Sequence, residues 1–325
     1  MTQMSKILVT GGSGFIGSYV IDELLGRGYE VLVLDRSAPG PLRCHKGDAR
    51  VSFFHGDVMD DVAVTEAAAH VDGVIHLAAV LGTQETISNP RPAAKTNILG
   101  SLNVFEAAVQ YGLPVVYAGV GNHWMREHGT GAYTISKTAV EDFAKMYNAY
   151  RGAEISVVRP VNAYGPRQSV AAPYGPSKVR KIMPAFICRA LTGADIEVYG
   201  DGTQVSDCVF VADVARVFVS ALEHTHEFGR IAEAVGVGPL ESHCVNEVAE
   251  MVIKAVASLT GEAPVGLKHL PMRPGEVPNA VVSAGQSGLT TLGMSSEDFV
   301  SLEDGIAATV HYYERTWLPG WKARQ

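Results

Sequence analysis

Several features that would place this 325-residue sequence in particular protein classes are missing from it. Its four cysteines lie far apart without a CxxC pair, so the sequence suggests neither a disulfide framework nor a zinc site. The formal net charge is −8, so the sequence lacks the basic excess of a general nucleic-acid binder. No apolar run is long enough to span a membrane, and the N-terminus lacks a signal-peptide layout. We therefore expect a cytoplasmic protein that binds neither nucleic acid nor membranes.

The sequence does contain short apolar runs that alternate with helical patterns. The apolar runs are KILVT (6–10), EVLVLD (30–35), GVIHLAA (73–79), PVVYAG (114–119) and ISVVRP (155–160). This alternation predicts an α/β fold with a mainly parallel sheet that is covered by helices on both faces. Two stretches rich in Gly and Pro, 165–181 and 261–288, are typical of loops in a smaller, irregular lobe.

The first chemical signal is TGGSGFIG at residues 10–17, between a predicted strand and a predicted helix. Gly11, Gly14 and Gly17 would let the backbone approach a pyrophosphate, whose charge is favoured at the helix N-terminus. Such a turn can also be purely structural, but EVLVLD ends in Asp35, where a carboxylate can bind the adenosine ribose. The carboxylate disfavours a ribose 2′-phosphate, so NAD is expected rather than NADP, although the neighbouring Arg36 acts in the opposite sense.

The second signal is the pair Tyr133 and Lys137 in YTISK. Four residues apart on a helix, the two side chains share a face, and the ammonium can lower the pKa of the phenol and help to hold a cofactor ribose. A surface tyrosine beside a solvated lysine would show the same spacing. The glycine turn upstream favours the functional interpretation.

With these motifs, the chain resembles the extended short-chain dehydrogenase/reductase family, specifically its nucleotide-sugar epimerases and dehydratases. The resemblance covers nearly the whole length. It also rests on HGDVMD (55–60), HLAAVLGTQETISNP (76–90), NILGSLNVFEAA (97–108), RPVNAYGPR (159–167), IMPAFICRALTGADIEVYGDGTQVSD (182–207) and RPGE (273–276).

The resemblance implies a Rossmann-type doubly wound parallel sheet with a smaller C-terminal substrate-binding lobe. The NAD-binding domain would comprise residues 1–166, with 207–238 returning to it, and the substrate lobe would comprise 167–206 and 239–325. The family commonly forms homodimers through two helices from each subunit, which would correspond here to about 94–111 and 133–151.

The resemblance also implies site residues. Asp57 and Val58 would flank the adenine, and Ala78 and Ala79 would line the cofactor cleft. The whole expected cofactor site comprises Gly11, Gly14, Phe15, Ile16, Gly17, Asp35, Arg36, Asp57, Val58, Leu77, Ala78, Ala79, Tyr133, Lys137 and Pro160. Substrate would be bound by Asn162, Arg167 and Arg273. The alternatives are a turn-forming role for Asn162 and a solvated loop position for Arg273.

Three departures from the family pattern bear on catalysis. Family members usually carry a catalytic Ser or Thr where Val120 or a neighbouring glycine stands in VVYAGVGNHW. We predict that Asn122 or Thr130 supplies the missing hydrogen bond. Dehydratases place an acidic pair where Gly121 and Asn122 stand, which disfavours elimination. Ser206 replaces an arginine that commonly grips the nucleotide diphosphate.

Other polar residues have ordinary structural explanations. His76 ends an apolar strand and is expected to be a satisfied core residue rather than a general acid. Lys178, Arg180 and Lys181 could meet phosphates, but we interpret them as a solvated basic face.

We therefore predict an NAD-dependent nucleotide-sugar epimerase that acts at carbon 4 through a transient keto-sugar. Tyr133, as phenolate, would take the proton of the carbon-4 hydroxyl. The alternatives are a dehydratase, reductase or dehydrogenase on the same scaffold, or a catalytically weakened protein that binds NAD.

Overall fold

The structure is a computed structural model. It describes residues 4–37, 45, 47–82, 85–121, 131–170, 174, 179–273, 276, 281–282, 284–285 and 288–325. Its strands are β1 (Lys6–Thr10), β2 (Glu30–Asp35), β3 (Val51–His55), β4 (Gly73–His76), β5 (Pro114–Ala118), β6 (Glu154–Pro160), β7 (Asn162–Tyr164), β8 (Ile196–Tyr199), β9 (Val205–Ser206), β10 (Cys208–Phe210), β11 (Val235–Val237), β12 (Leu267–Leu270) and β13 (Val281–Val282).

Helices separate most of these strands. They are α1 (Phe15–Gly26), α2 (Asp61–Ala68), α3 (Arg91–Ala93), α4 (Gly100–Tyr111), α5 (Ala132–Tyr150), α6 (Ile182–Leu191), α7 (Val211–Phe228), α8 (Val245–Thr260), α9 (Leu302–Thr316) and α10 (Leu318–Lys322). A π-helical stretch, Ala94–Leu99, joins α3 to α4.

Within the described residues, seven parallel strands form one sheet in the order β11-β6-β5-β4-β1-β2-β3. The central strand β1 pairs with β2 on one side and with β4 on the other. All four residues of β4 are buried, as expected for a strand that is covered on both faces. The predicted α/β fold with a doubly wound parallel sheet is confirmed.

Two apolar layers cover the faces of this sheet. One face packs against α1 and α7, through residues such as Ile21 and Phe218. The other packs against α2, α4 and α5, through residues such as Val104 and Val140. The carboxyl ends of β1, β4, β5 and β6 are left between these layers, where open α/β sheets commonly bind ligands.

A third apolar cluster lies apart from the sheet. It gathers α6, α8 and α9 around residues such as Ile187, Val252 and Ile306. The two-stranded pair β8 and β12 packs with these helices, since Ile196 and Val198 belong to the same cluster. The cluster corresponds to the smaller lobe expected from the sequence, and the proposed domain boundaries stay a prediction.

No helix in the described part of the chain is long and apolar enough to cross a membrane. The described residues also place no three His, Cys, Asp or Glu side chains so that they could hold a metal ion.

Candidate active site

A cavity of about 660 Å³ lies between the carboxyl ends of the sheet strands and the smaller lobe. One wall comes from the turn after β1 and from the ends of β2, β4 and β5, and α5 adds Tyr133 and Lys137. The other wall comes from α6, β8, β9 and the residues Met272, Arg273 and Glu276. The cavity therefore brings together segments that are more than 250 residues apart in the sequence.

The glycine turn is packed so tightly that side chains would not fit. Gly11 has a φ of +72°, and a Cβ there would lie 2.8 Å from the Ala78 nitrogen. A Cβ on Gly17 would lie 2.6 Å from the Gly11 carbonyl oxygen. Gly14 caps α1 without a side-chain hydrogen bond, so the positive end of the helix dipole faces the cavity uncovered. The predicted glycine turn between a strand and a helix is therefore present, and its geometry suits a phosphate.

Acidic side chains lie beside this turn. Asp35 accepts hydrogen bonds from the backbone nitrogens of Ser13 (3.1 Å) and Ser37 (2.9 Å). Each of its oxygens keeps capacity for another donor, such as a ribose hydroxyl. Arg36 points to Asp57, with 3.5 Å between Nη1 and Oδ2. The cation next to Asp35 is therefore already paired with a carboxylate.

Tyr133 and Lys137 lie in the first turns of α5 and both line the cavity. Lys137 is 2% exposed, and its Nζ lies 4.1 Å from the centre of the Tyr117 ring. Burial lowers the pKa of the Lys137 ammonium to about 7, against the attraction of the Glu141 carboxylate. Burial also raises the pKa of the Tyr133 phenol to about 12. In this structure, burial alone sets the direction of this shift, so the lowering of the phenol pKa by Lys137 stays a prediction.

The position of the expected hydroxyl is occupied by an apolar side chain. Val120 lines the cavity but is only 7% exposed, and its nitrogen donates to Glu141 Oε1 at 3.4 Å. Gly121 has no room for a side chain, since a Cβ would lie 2.9 Å from the Pro160 carbonyl oxygen. Asn122 and Thr130, the predicted substitutes, lie outside the described residues, so their role stays a prediction.

His76 is a core residue, as expected. Its Nδ1 lies 2.6 Å from Thr10 Oγ1 and its Nε2 lies 2.8 Å from Ser101 Oγ. Burial, together with the charge of Lys137, lowers the pKa of His76 to about 3. The imidazole is therefore neutral and fully bonded, which leaves it no role as a general acid.

Charged side chains surround Tyr199 on the second wall. The Arg273 guanidinium carbon lies 4.8 Å from the ring centre and Arg273 pairs with Glu276. Arg180 donates to the Tyr199 hydroxyl and lies 3.4 Å from Glu197. Lys181, which precedes α6, forms no ion pair with a described residue. Burial lowers its pKa, while the Glu85 carboxylate opposes and the Arg273 charge assists this effect.

Asn162 connects the two walls of the cavity. Its Nδ2 donates to Ser206 Oγ and to the Asp207 carbonyl oxygen, both at 2.9 Å. Asn162 and Ser206 line the cavity, and the Asn162 Oδ1 remains available as an acceptor.

Comparison with known proteins identifies the chain. The model of the NAD dependent epimerase/dehydratase family matches residues 7–235. The chain belongs to this family. A curated relative, the putative UDP-glucose 4-epimerase of Methanocaldococcus jannaschii, is 30% identical over 320 residues, which cover 94% of this chain and 97% of the relative. The predicted resemblance is confirmed.

Solved structures of the same family share the fold. The UDP-glucose 4-epimerase of Thermus thermophilus, in complex with NAD, superposes with a TM-score of 0.76 at 31% identity and covers 96% of this chain and 99% of its own. The UDP-glucose 4-epimerase of Thermotoga maritima, with UDP-glucose, gives a TM-score of 0.79 at 28% identity with the same two coverages.

The structure places most of the predicted site residues of this family member around one cavity. Lining positions include Gly11, Gly14, Phe15, Ile16, Gly17, Asp35, Arg36, Asp57, Val58, Leu77, Ala78, Ala79, Tyr133, Lys137, Pro160, Asn162 and Arg273. Since NAD is the cofactor of the family, the glycine turn, the open N-terminus of α1 and Asp35 are the groups that would hold it.

Arg167 is the exception. Its Nη1 lies 2.7 Å from Asp22 Oδ2, and its guanidinium carbon lies 4.4 Å from the centre of the Tyr19 ring. Both partners belong to α1, and Arg167 is not among the residues that line the cavity. The carboxylate of Asp22 thus holds the side chain on α1, and the substrate role of Arg167 stays a prediction that this geometry does not support.

The prediction that Arg180 and Lys181 belong to a solvated basic face is wrong, because both side chains line the cavity. Lys178 lies outside the described residues. Tyr199, Gln204 and Glu276 line the cavity too and were not singled out. All three belong to the segments IEVYGDGTQVSD and RPGE, which resemble the family. That resemblance was the sequence signal that could have identified them.

Proposed function

We propose that this protein is an NAD-dependent epimerase that inverts carbon 4 of a UDP-sugar through a transient keto-sugar. The observation that carries the proposal is the position of Tyr133 and Lys137. They lie where a wall suited to a dinucleotide meets a wall of paired charged side chains. We call Gly11–Gly17, Asp35, Asp57 and Ala78 the cofactor side, and Arg180, Lys181, Tyr199 and Arg273 the substrate side.

The substrate side fits a nucleoside diphosphate. Lys181 and Arg273 would bind the diphosphate, since both are cations that line the cavity and Lys181 has no ion-pair partner among the described residues. Asn162 would accept a hydrogen bond from the sugar or its phosphates. Ser206 brings no charge, so these side chains would replace the arginine expected there. The named epimerases above, one of them with UDP-glucose, support UDP as the nucleotide.

Tyr133 would perform the proton transfer. As phenolate it would accept the proton of the carbon-4 hydroxyl, and it would return that proton after the keto sugar has turned over in the cavity. Lys137 would hold the cofactor ribose and stabilise the phenolate through its charge. NAD, when bound, supplies reversible oxidation and reduction at carbon 4, so no net redox change results.

The same geometry argues against a dehydratase. Elimination needs an acid and a base beside the sugar, and the family's acidic pair would fall on Gly121 and Asn122. Gly121 cannot carry a side chain without meeting the Pro160 carbonyl.

The second candidate is a weakened NAD-binding protein, which is favoured by the apolar side chain of Val120 at the hydroxyl position.

A binding screen tests the proposal. The NAD-loaded protein would be titrated with UDP-, dTDP-, GDP-, CDP- and ADP-sugars, and we expect UDP-sugars to bind most tightly. Failure of all five classes to bind would overturn the proposal. Binding of UDP-glucose without turnover would favour the weakened binding protein.

We also propose a homodimer and keep the prediction of a cytoplasmic location. The exposed large apolar side chains Ile135, Phe143 and Tyr150 lie on α5, and Leu99 and Tyr111 lie on the segment from the π-helical stretch to the end of α4. Such a cluster is typical of a protein interface. A dimeric mass in light scattering, converted to a monomeric mass by Phe143→Glu, is the expected result.

A further inference from the structure

Glu141 is a buried carboxylate behind the catalytic pair. It lies on α5, one turn beyond Lys137 and two turns beyond Tyr133, so all three share one helix face. It is only 3% exposed. Arg159 of β6 satisfies it, since Arg159 Nε lies 3.2 Å from Oε1 and 3.0 Å from Oε2 and its Nη2 bonds Oε2 as well. A carboxylate that is buried this deeply needs such a partner.

The same carboxylate contacts the cavity wall. Its Oε1 accepts the hydrogen bond from the Val120 nitrogen. A Cβ on Gly119 would lie 2.5 Å from that oxygen, so the backbone at residue 119 leaves room for the carboxylate only because Gly119 has no side chain. Because the Val120 nitrogen points to Glu141, it cannot serve as a donor to substrate. Glu141 therefore fixes the backbone at the position where family members carry the hydroxyl.

Few other charges act on Lys137. Tyr133 shares its helix, the Tyr117 ring of β5 lies against its ammonium, and His76 of β4 is neutral. The guanidinium of Arg159 on β6 is already paired with the Glu141 carboxylate. Among the described residues, Glu141 is the carboxylate whose attraction opposes the desolvation of Lys137.

We propose that Glu141 is a positioning residue that supplies a negative charge one helical turn from Lys137 and holds the Val120 backbone in place. Its importance for turnover rests on the proposed function. Its effect on Lys137 does not, since it depends only on contacts within the chain. Without the carboxylate, its attraction would no longer oppose the desolvation of Lys137, and the lysine would lose its proton at a lower pH.

The direct test measures the pKa of Lys137 by NMR in full-length protein labelled with ¹³C at the lysine ε-carbons. The Lys137 signal is identified by its loss in Lys137→Met. Glu141→Gln retains an oxygen for the Val120 nitrogen but removes the charge, so the pKa of Lys137 should fall by about one to three pH units. Glu141→Asp retains the charge and should restore much of the difference. Glu223→Gln, which alters the ion pair between Glu223 of α7 and Arg27 at the end of α1, should leave the pKa of Lys137 unchanged.

A second readout is the affinity for NAD at pH 6 to 9. In the wild type, affinity should fall as pH rises through the pKa of Lys137, and in Glu141→Gln this fall should occur at lower pH. A purely structural defect would instead weaken NAD binding equally at every pH. An unchanged pKa of Lys137 in folded Glu141→Gln protein, or the same pH profile as the wild type, would overturn the proposal. Neither measurement uses a sugar substrate, so a wrong proposed function would leave the result interpretable.

Discussion

The cofactor side of the cavity is built largely from backbone, whereas the substrate side is built from charged side chains. On the cofactor side, Gly11 and Gly17 are within 3 Å of neighbouring main-chain atoms if a Cβ is added. On the substrate side, Arg180 and Arg273 are already paired with Glu197 and Glu276. A ligand entering the first side meets a preformed backbone surface. A ligand entering the second must compete with existing ion pairs.

This difference suggests how one scaffold serves several substrates. The backbone surface can change little without steric clashes, because each Cβ would meet main-chain atoms. Paired side chains on separate elements can be exchanged more freely, since each contributes to stability mainly through its partner. Tyr133 lies at the border of the two sides, so a variant there should affect chemistry more than binding to either side.

The largest expected effect is the loss of turnover in Tyr133→Phe. The variant lacks the proton-transfer group, so the catalytic constant should fall by about a hundredfold to ten-thousandfold. The affinities for NAD and for UDP-glucose should change little, because both sides of the cavity remain intact. Tyr150→Phe, an exposed tyrosine on the same helix, is the control and should keep full turnover. Near-normal activity of Tyr133→Phe would show that the border residues do not carry the chemistry.

On the cofactor side, the addition of one methyl group should strongly weaken NAD binding. In Gly17→Ala, the new Cβ would press on Gly11 and Gly12 main-chain atoms, and such overpacking typically costs about 1–3 kcal/mol. We expect NAD affinity to fall about tenfold to a hundredfold in a calorimetric titration. Gly26→Ala places its methyl group in open space on the same helix and should bind NAD normally. Equal affinities in the two variants would contradict the close-packed turn.

On the substrate side, the loss of one charged side chain should weaken the binding of UDP-glucose. Arg273→Met removes one charged hydrogen-bonding group, so UDP-glucose affinity should fall about tenfold to a hundredfold while NAD affinity is retained. Arg167→Met is the matched control, since Arg167 is held by Asp22 away from the cavity. It should lower the unfolding temperature without changing substrate affinity. Loss of UDP-glucose affinity in Arg167→Met, with normal affinity in Arg273→Met, would instead support the substrate role predicted from the sequence for Arg167.

The smallest expected effect concerns the choice of cofactor. Replacing Asp35 with Ala removes the carboxylate that would repel a ribose 2′-phosphate, and the preference for NAD over NADP should narrow about tenfold, or roughly 1.4 kcal/mol. Asp142→Ala, on the exposed face of α5, is the charge control. Tighter binding of NADP than of NAD by the unmodified protein would refute the assignment of Asp35.

The two sides also differ in how far the sequence predicts them. The glycine turn and Asp35 lie within 25 residues of each other, and the strand-turn-helix pattern that positions them is local. Tyr133 and Lys137 are placed by helical spacing alone. The parallel sheet followed from the alternation of apolar runs and helices. These features were all predicted, and the fold is confirmed.

The substrate side depends on contacts that no local pattern encodes. Arg167 and Lys181 both stand in a loop-like, basic stretch, yet one is captured by Asp22, 145 residues away, and the other lines the cavity. The sequence predicts a substrate role for Arg167 and a solvated position for Lys181, whereas in the structure Lys181 is the one that lines the cavity. The burial of Glu141 was likewise invisible, because its partner Arg159 lies on a neighbouring element rather than on the same helix.

The most direct test of the central claim uses UDP-glucose that carries deuterium at carbon 4. The NAD-loaded protein should convert it to the carbon-4 epimer, and NMR should show deuterium retained at carbon 4 of the product. No NADH should accumulate in the absorbance spectrum. Deuterium lost to solvent, or no epimer despite bound UDP-glucose, would contradict an epimerisation in which carbon 4 is oxidised and reduced within one closed site.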